Sequence, residues 1–142
     1  MSISKTIIQT LRSDETIQDY LGAIDFADCP VATTFNFEDT HRSQINISLE
    51  YGETLPWSCG DIHHDGTVRV YILVKDTITH PFSPIDLSDK IAVRVLELLD
   101  LKGSTLDGSI YWVQKIGSDF THYDDIHFYE TALSFRFVKK EA

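Results

Sequence analysis

The chain has 142 residues, 42% of them hydrophobic, which suits one domain with its own core and excludes a disordered tract. Twelve Lys and Arg stand against 22 Asp and Glu, a formal charge of −10, and the cations form no patch apart from Lys139-Lys140. That balance excludes a nucleic-acid binder working by counterion release, and it disfavours an anionic membrane as partner.

The cysteines, Cys29 and Cys59, form no C-x-x-C and no disulfide framework, so free thiols and synthesis in the cytoplasm are expected. Polar residues break every apolar run in residues 1–16, unlike a signal peptide. Nowhere does the sequence approach the ~20 apolar residues of a membrane-spanning helix.

In chain order, Ile3, Ile7, Ile8 and Leu11 recur at helical spacing. Ser13-Asp14 interrupts them, and either residue can cap a second short helix with Ile17, Tyr20 and Leu21 on one side and Gly22 as its stop. An extended segment is expected at 23–26. Residues 29–40 read either as loop or as a short strand, since Phe35 and Phe37 alternate with Thr34 and Asn36. In 44–51 the alternation of Ile45, Ile47, Leu49 and Tyr51 with polar residues predicts a half-buried strand. Residues 52–66, with Pro56, Gly60 and His63-His64-Asp65-Gly66, read as a long polar loop in which Asp65-Gly66 is a turn.

Residues 68–74 are β-branched and aromatic enough for the strongest strand of the chain. A loop at 77–83 leads to Ser83 as helix cap, Pro84 as first helical residue and a helix running to about Leu101. On a helical wheel Leu87, Ile91, Ala92, Val95, Leu96, Leu98 and Leu99 fill one broad arc, as on a helix lying flat on a sheet, and Gly103 is the expected stop. Asp107-Gly108 turns the chain into a strand at 109–116, which Gly117-Ser118-Asp119 is expected to break. Residues 126–139 form a long final strand with Tyr129, Thr131, Leu133, Phe135 and Phe137 on one face. The fold class is therefore α+β: a mostly antiparallel sheet of four to five strands, with a long amphipathic helix and an N-terminal helical segment packed on it, as a single domain over 1–142.

Chemistry-bearing residues are few. Asp61, His63, His64 and Asp65 lie close together with His80 further on, but the spacing matches no metal-ligand pattern. The group His122, Asp124, Asp125 and His127 reads as a solvated loop. Cys59-Gly60-Asp61 near His63 is the one grouping suggestive of a nucleophile, and neither a G-x-S-x-G elbow nor a phosphate-binding P-loop is present. No cofactor and no catalytic residue is expected. Trp57 and Phe120 lie in turn-rich segments, and loop aromatics favour protein interfaces. With the charges of the 53–65 segment, the candidate interface residues are Glu53, Trp57, Asp61, His63, His64, Asp65 and Phe120.

This order of elements resembles the tail terminator or tail completion proteins of long-tailed bacteriophages. The helical pair 7–11 and 17–22 resembles that family's opening helix and its break. The strand at 68–75, the helix at 86–101, Lys102-Gly103 and the strand at 110–116 resemble its central strand–helix–strand, and 126–138 resembles its closing strand. The segment 29–66 departs most from the pattern. The resemblance implies a non-enzymatic subunit that assembles with itself as a ring, typically hexameric, at the head–tail junction of the virion after assembly in the host cytoplasm. Its partners would be the tail tube protein and a head-completion or connector protein, with no membrane involved. DNA would pass through the lumen without specific binding, helped by acidic residues such as Glu53, Asp61, Asp65, Asp124 and Asp125. Three other readings remain open: another neck or tail-tube component, a metal-dependent hydrolase using Asp61, His63 and His64, and a small regulatory binding module.

Overall fold

The computed structural model describes residues 3–33, 43–56, 62–77, 80–106 and 108–140, with the backbone alone at 51–56, 62–64 and 104. The elements are α1 (Ile3–Ser13), α2 (Glu15–Tyr20), β1 (Val31–Ala32), β2 (Gln44–Pro56), β3 (Ile62–Lys75), α3 (Pro84–Leu99), the single turn α4 (Gly103–Leu106), β4 (Ile110–Tyr123) and β5 (Phe128–Lys140). Among the described residues the five strands form one sheet in the order β1-β2-β3-β5-β4. Only the short β1–β2 pairing is parallel. The α+β expectation therefore holds, with five strands.

Strand β3 is central and carries the core. Val68, Val70, Ile72 and Val74 alternate inward and are fully buried. Ile45 and Ile47 of β2 stand beside them on one flank, and Leu133, Phe135 and Phe137 of β5 on the other. The helices cover this face. From α3 come Leu87, Ile91, Val95 and Leu99, all fully buried. From α1 come Ile3, Ile7 and Leu11, and Ile17 of α2 joins them. Ala92, Leu96 and Leu98 are only half-buried, because the wheel's broad arc is wider than the strip the sheet covers. Among the described residues no helix is long and apolar enough to cross a membrane.

The helix ends follow the sequence signals closely. Asp14 caps α2 by accepting from the Ile17 N–H at 3.0 Å, and Gly22 takes φ 67 just past the helix end. Ser83 caps α3 by accepting from the Asp86 N–H, with Pro84 in the first turn. At the other end of α3 the left-handed residue is Leu101 (φ 60), not Gly103. The Leu101 N–H donates to the Val113 carbonyl at 2.9 Å, and that bond to β4 holds a conformation glycine would adopt more easily. Gly103 instead starts α4, where an added Cβ would stand 3.0 Å from the Trp112 nitrogen.

Three other expectations fail. Residues 23–28 form turns, with Asp28 accepting from the Ile24 N–H and Asp25 from the Asp28 N–H, where an extended segment was expected at 23–26. Of the expected 52–66 loop, residues 52–56 are the end of β2 and 62–66 lie in β3, so Glu53, His63, His64 and Asp65 lie on strands, while 57–61 lie outside the described residues. Gly117-Ser118-Asp119 does not break β4, because the ladder to β5 absorbs it as a register irregularity between Lys115 and Gly117. The second possibility raised for 29–40 is met in part by β1, while Phe35 and Phe37 lie outside the described residues.

Gly66 shows why a turn signal became strand. It pairs with Phe137, whose ring lies across it, and an added Cβ would stand 2.7 Å from that ring and 2.6 Å from the Glu50 carbonyl oxygen. The missing side chain is the space the ring fills. Gly66→Ala should therefore destabilise by about 1–3 kcal/mol through overpacking. Gly117→Ala, with nothing within 4 Å, should leave the melting temperature nearly unchanged. Thermal unfolding of both variants checks the pair.

One ion pair ties the helical layer together. Arg94 of α3 reaches both oxygens of Asp14, at 2.6 and 3.0 Å, while Asp14 also caps α2. The guanidinium hydrogen bonds hold the Asp14 carboxyl below the ordinary carboxylate range, against an opposing push from burial. A carboxylate depressed in the folded state adds stability above its unfolded value near 3.8, and loses it as pH falls through the lower folded value. Acid unfolding of Arg94→Gln should accordingly start at higher pH than wild type, with the difference closing at strongly acid pH. A superimposable acid limb in the two proteins would refute this.

Candidate functional site

Two surfaces carry the candidate side chains: the edge strand β4, and the sheet face turned away from the helices. Strand β4 has β5 on one side and no strand on the other among the described residues. It concentrates exposed apolar groups: Tyr111, Trp112, Ile116, Phe120 and Tyr123. Ile116 and Phe120 are 56% and 52% exposed, well above what a packed strand shows. Between β4 and α3 runs an open groove of about 590 Å³, walled by Ile85, Ala92, Val93 and Leu96 on the helix and by Phe120 and Leu133 on the sheet. Thr131, which also lines the groove, has a buried hydroxyl without a partner among the described residues. Leaving such a group unmatched costs about 1–3 kcal/mol.

At the far end of β4 the aromatic rings stack. Tyr129 lies 5.7 Å from Phe120 and 4.2 Å from His122, both nearly parallel to it. His122 places Nε2 2.9 Å from Asp76 and Nδ1 3.1 Å from Asp124. His127, in the turn between β4 and β5, lies 3.8 Å from Asp76. These groups bridge one to the next and do not converge. Among the described residues no set of three or more His, Cys, Asp or Glu is arranged to hold a metal. Asp76, just past β3, is the member that no local sequence pattern marks. The backbone brings it there through the pairing of the Asp76 N–H with the His127 carbonyl at 2.9 Å.

The open sheet face is polar and internally paired. Arg136 holds Asp65 through two hydrogen bonds, at 2.6 and 3.1 Å, and lies over the Trp112 ring at 5.9 Å. The Arg136 hydrogen bonds depress the Asp65 carboxyl below its ordinary range. Along the same face the Glu130 carboxyl is pushed up by burial, and Tyr123 is raised by the Glu130 charge beside it.

The sequence candidates do not form one site. Asp65 lies opposite Val138 and Phe120 opposite Thr131, on opposite faces of the sheet. Their partners are seven residues apart on β5, roughly 24 Å along the strand. His63 and His64 pair with Lys140 and Lys139, and Glu53 lies at the β2 irregularity between Tyr51 and Thr54. Trp57, Cys59 and Asp61 lie outside the described residues. Cys29 is buried in the core cluster, where a thiol acts as a small apolar group.

The architecture is thus a five-stranded, mostly antiparallel sheet covered on one face by helices, with an open face and a long apolar edge. No family model matches the sequence, and no curated protein matches it. Among solved structures the fold matches a chain in the virion of a native gene transfer agent particle, with a TM-score of 0.74. The match covers 99% of this chain and 96% of that one at 8% identity, so what the two share is the fold.

The Asp65–Arg136 pair gives a direct check on the open face. In an NMR titration the Asp65 carboxylate should titrate below an ordinary aspartate, and Arg136→Gln should return it toward 3.8. An Asp65 midpoint unchanged by that substitution would contradict the paired geometry.

Proposed function

We propose that this chain is a structural virion subunit of the tail-terminator type. In this reading the domain spans residues 1–142 and forms a homomeric ring, a hexamer by the family resemblance. The ring caps the tail tube, ends its polymerisation and offers a head-joining surface to a connector protein. The subunit performs no catalysis. The observation that carries the reading is the fold match to a virion chain over nearly the full length of both. The order of elements, with a helix break at Asp14, the strand–helix–strand of β3, α3 and β4 and a long closing β5, adds to it.

The surfaces suit such use. A ring subunit makes heterologous contacts that close by rotation, and unpaired strand edges lend themselves to them. Asp65 on the open face, Phe120 on the edge strand, Glu53 of β2, His63 and His64 of β3, and Trp57 and Asp61 from the sequence between those strands are the proposed contact residues. The net charge of −10 suits a channel through which DNA passes without adhering.

Negative-stain electron microscopy of the purified protein mixed with uncapped tail tubes tests this. A single ring at one tube end, with tails becoming competent to join heads, is the expected outcome. Growth into long polymers would identify a tube subunit instead. Absence of any tube binding would overturn the terminator assignment.

A further inference from the structure

The outer edge of β4 divides into two halves. In the first, the Val113 carbonyl accepts from the Leu101 N–H, and the Lys115 N–H donates to the Asp100 carboxylate at 2.8 Å. Those two residues therefore turn their backbone groups away from β5. The register irregularity between Lys115 and Gly117 shifts the alternation by one residue. From there on Ser118, Phe120 and His122 point their N–H and C=O groups outward, and no strand among the described residues meets them.

The side chains of the same three residues stand on the helix-covered face, because they lie opposite Leu133, Thr131 and Tyr129. A strand laid along this edge would put every second side chain over the groove between β4 and α3. Ile85 and Val93 are 48% and 55% exposed there, so apolar side chains of a guest would find an uncovered apolar wall. The remaining side chains would stand beside Asp119 on the open face and approach Asp124 and Asp125 in the adjoining turn. Cations near this stretch are Lys115 at its start, and on β3, two strands away, Arg69, which faces Asp119, and Lys75, which lies over the Phe128 ring opposite Tyr123.

We propose that residues 118–122 of β4 form a β-augmentation site for an extended segment of a partner protein in which apolar residues alternate with Lys or Arg. Main-chain hydrogen bonds to Ser118, Phe120 and His122 supply the pairing, and the groove and the acidic margin supply the selectivity. A second copy of this chain is the poorer occupant. Its other long strand edge, β2, carries Glu50 and Glu53 and no Lys or Arg, so the two edges are alike in charge. The site belongs to the single subunit and stands independently of the terminator assignment.

Fluorescence anisotropy with the full chain and labelled nine-residue peptides tests the proposal. An alternating Leu-Lys peptide should bind at least tenfold tighter than its Leu-Glu counterpart. N-methylation of the Leu-Lys peptide should lose at least tenfold in one alternate frame and little in the other, because only one frame faces β4. Ser118→Pro removes an outward N–H without removing a ladder bond, and should weaken binding similarly while keeping the thermal melt. Should that variant fail to fold, the methylated peptides still decide on the wild-type chain. Equal binding of both methylated frames would reduce the effect to charge attraction and overturn the proposal. So would an oligomer of the chain alone, seen by sedimentation, that Ser118→Pro abolishes, since the edge would then belong to a second copy.

Discussion

The fold depends on the burial of the inward face of β3. Its inward residues Val68, Val70, Ile72 and Val74 have β2 and β5 as neighbours in the sheet and the helical layer above. A fully buried aliphatic side chain contributes about 1.5–3 kcal/mol, so this row and the Leu87–Ile91–Val95–Leu99 stripe facing it supply a substantial share of the apolar stabilisation. The demand for a close fit appears at Gly66, where the Phe137 ring takes the place of a side chain on the neighbouring strand. The same row also fixes register, because a one-residue slip of β3 would expose all four aliphatic residues.

Covering the centre leaves the margin uncovered. Helix α3 packs on β3 and β5, and just past its C-terminal end Asp100 and Leu101 bond to β4. The outer part of β4 therefore keeps Ile116 and Phe120 in solvent, with a groove beside them. A long apolar edge is a hazard for a protein meant to stay alone, and natural sheets usually blunt such edges with charge, proline or cover. Among the described residues only the first half of the edge is blunted. An edge left open in this way belongs to a protein that pairs with something, which is the common ground between a ring-forming virion subunit and the strand-addition site at residues 118–122.

Electrostatics refine this arrangement without creating it. Asp14 serves twice, as the cap of α2 and as the acceptor for Arg94, and so fixes the angle between the N-terminal helices and α3. Asp65 and Arg136 bind neighbouring strands across the open face, where solvent limits what such a pair contributes. The acidic excess lies largely on surfaces and does not enter the core.

What the sequence alone determined is local. Caps at Asp14 and Ser83, the left-handed Gly22, the apolar stripe of α3 and the alternation of β3 and β5 all follow from neighbours within a few residues, and all are found. What the sequence could not settle depended on partners far along the chain. Residues 52–56 and 62–66 look like loop because their polar and glycine content is a local signal, yet pairing with one another and with β5 makes them strand. Gly117-Ser118-Asp119 looks like a break until β5 supplies a ladder. Leu101 takes the conformation expected of a glycine because a hydrogen bond from β4 holds it there, and Asp76 joins His122 only because β3 ends beside the β4–β5 turn. The candidate surface was legible only at single residues, such as Phe120 and Asp65. That they occupy opposite faces, and that an open edge and a groove adjoin one of them, are consequences of strand order, which no short-range pattern encodes.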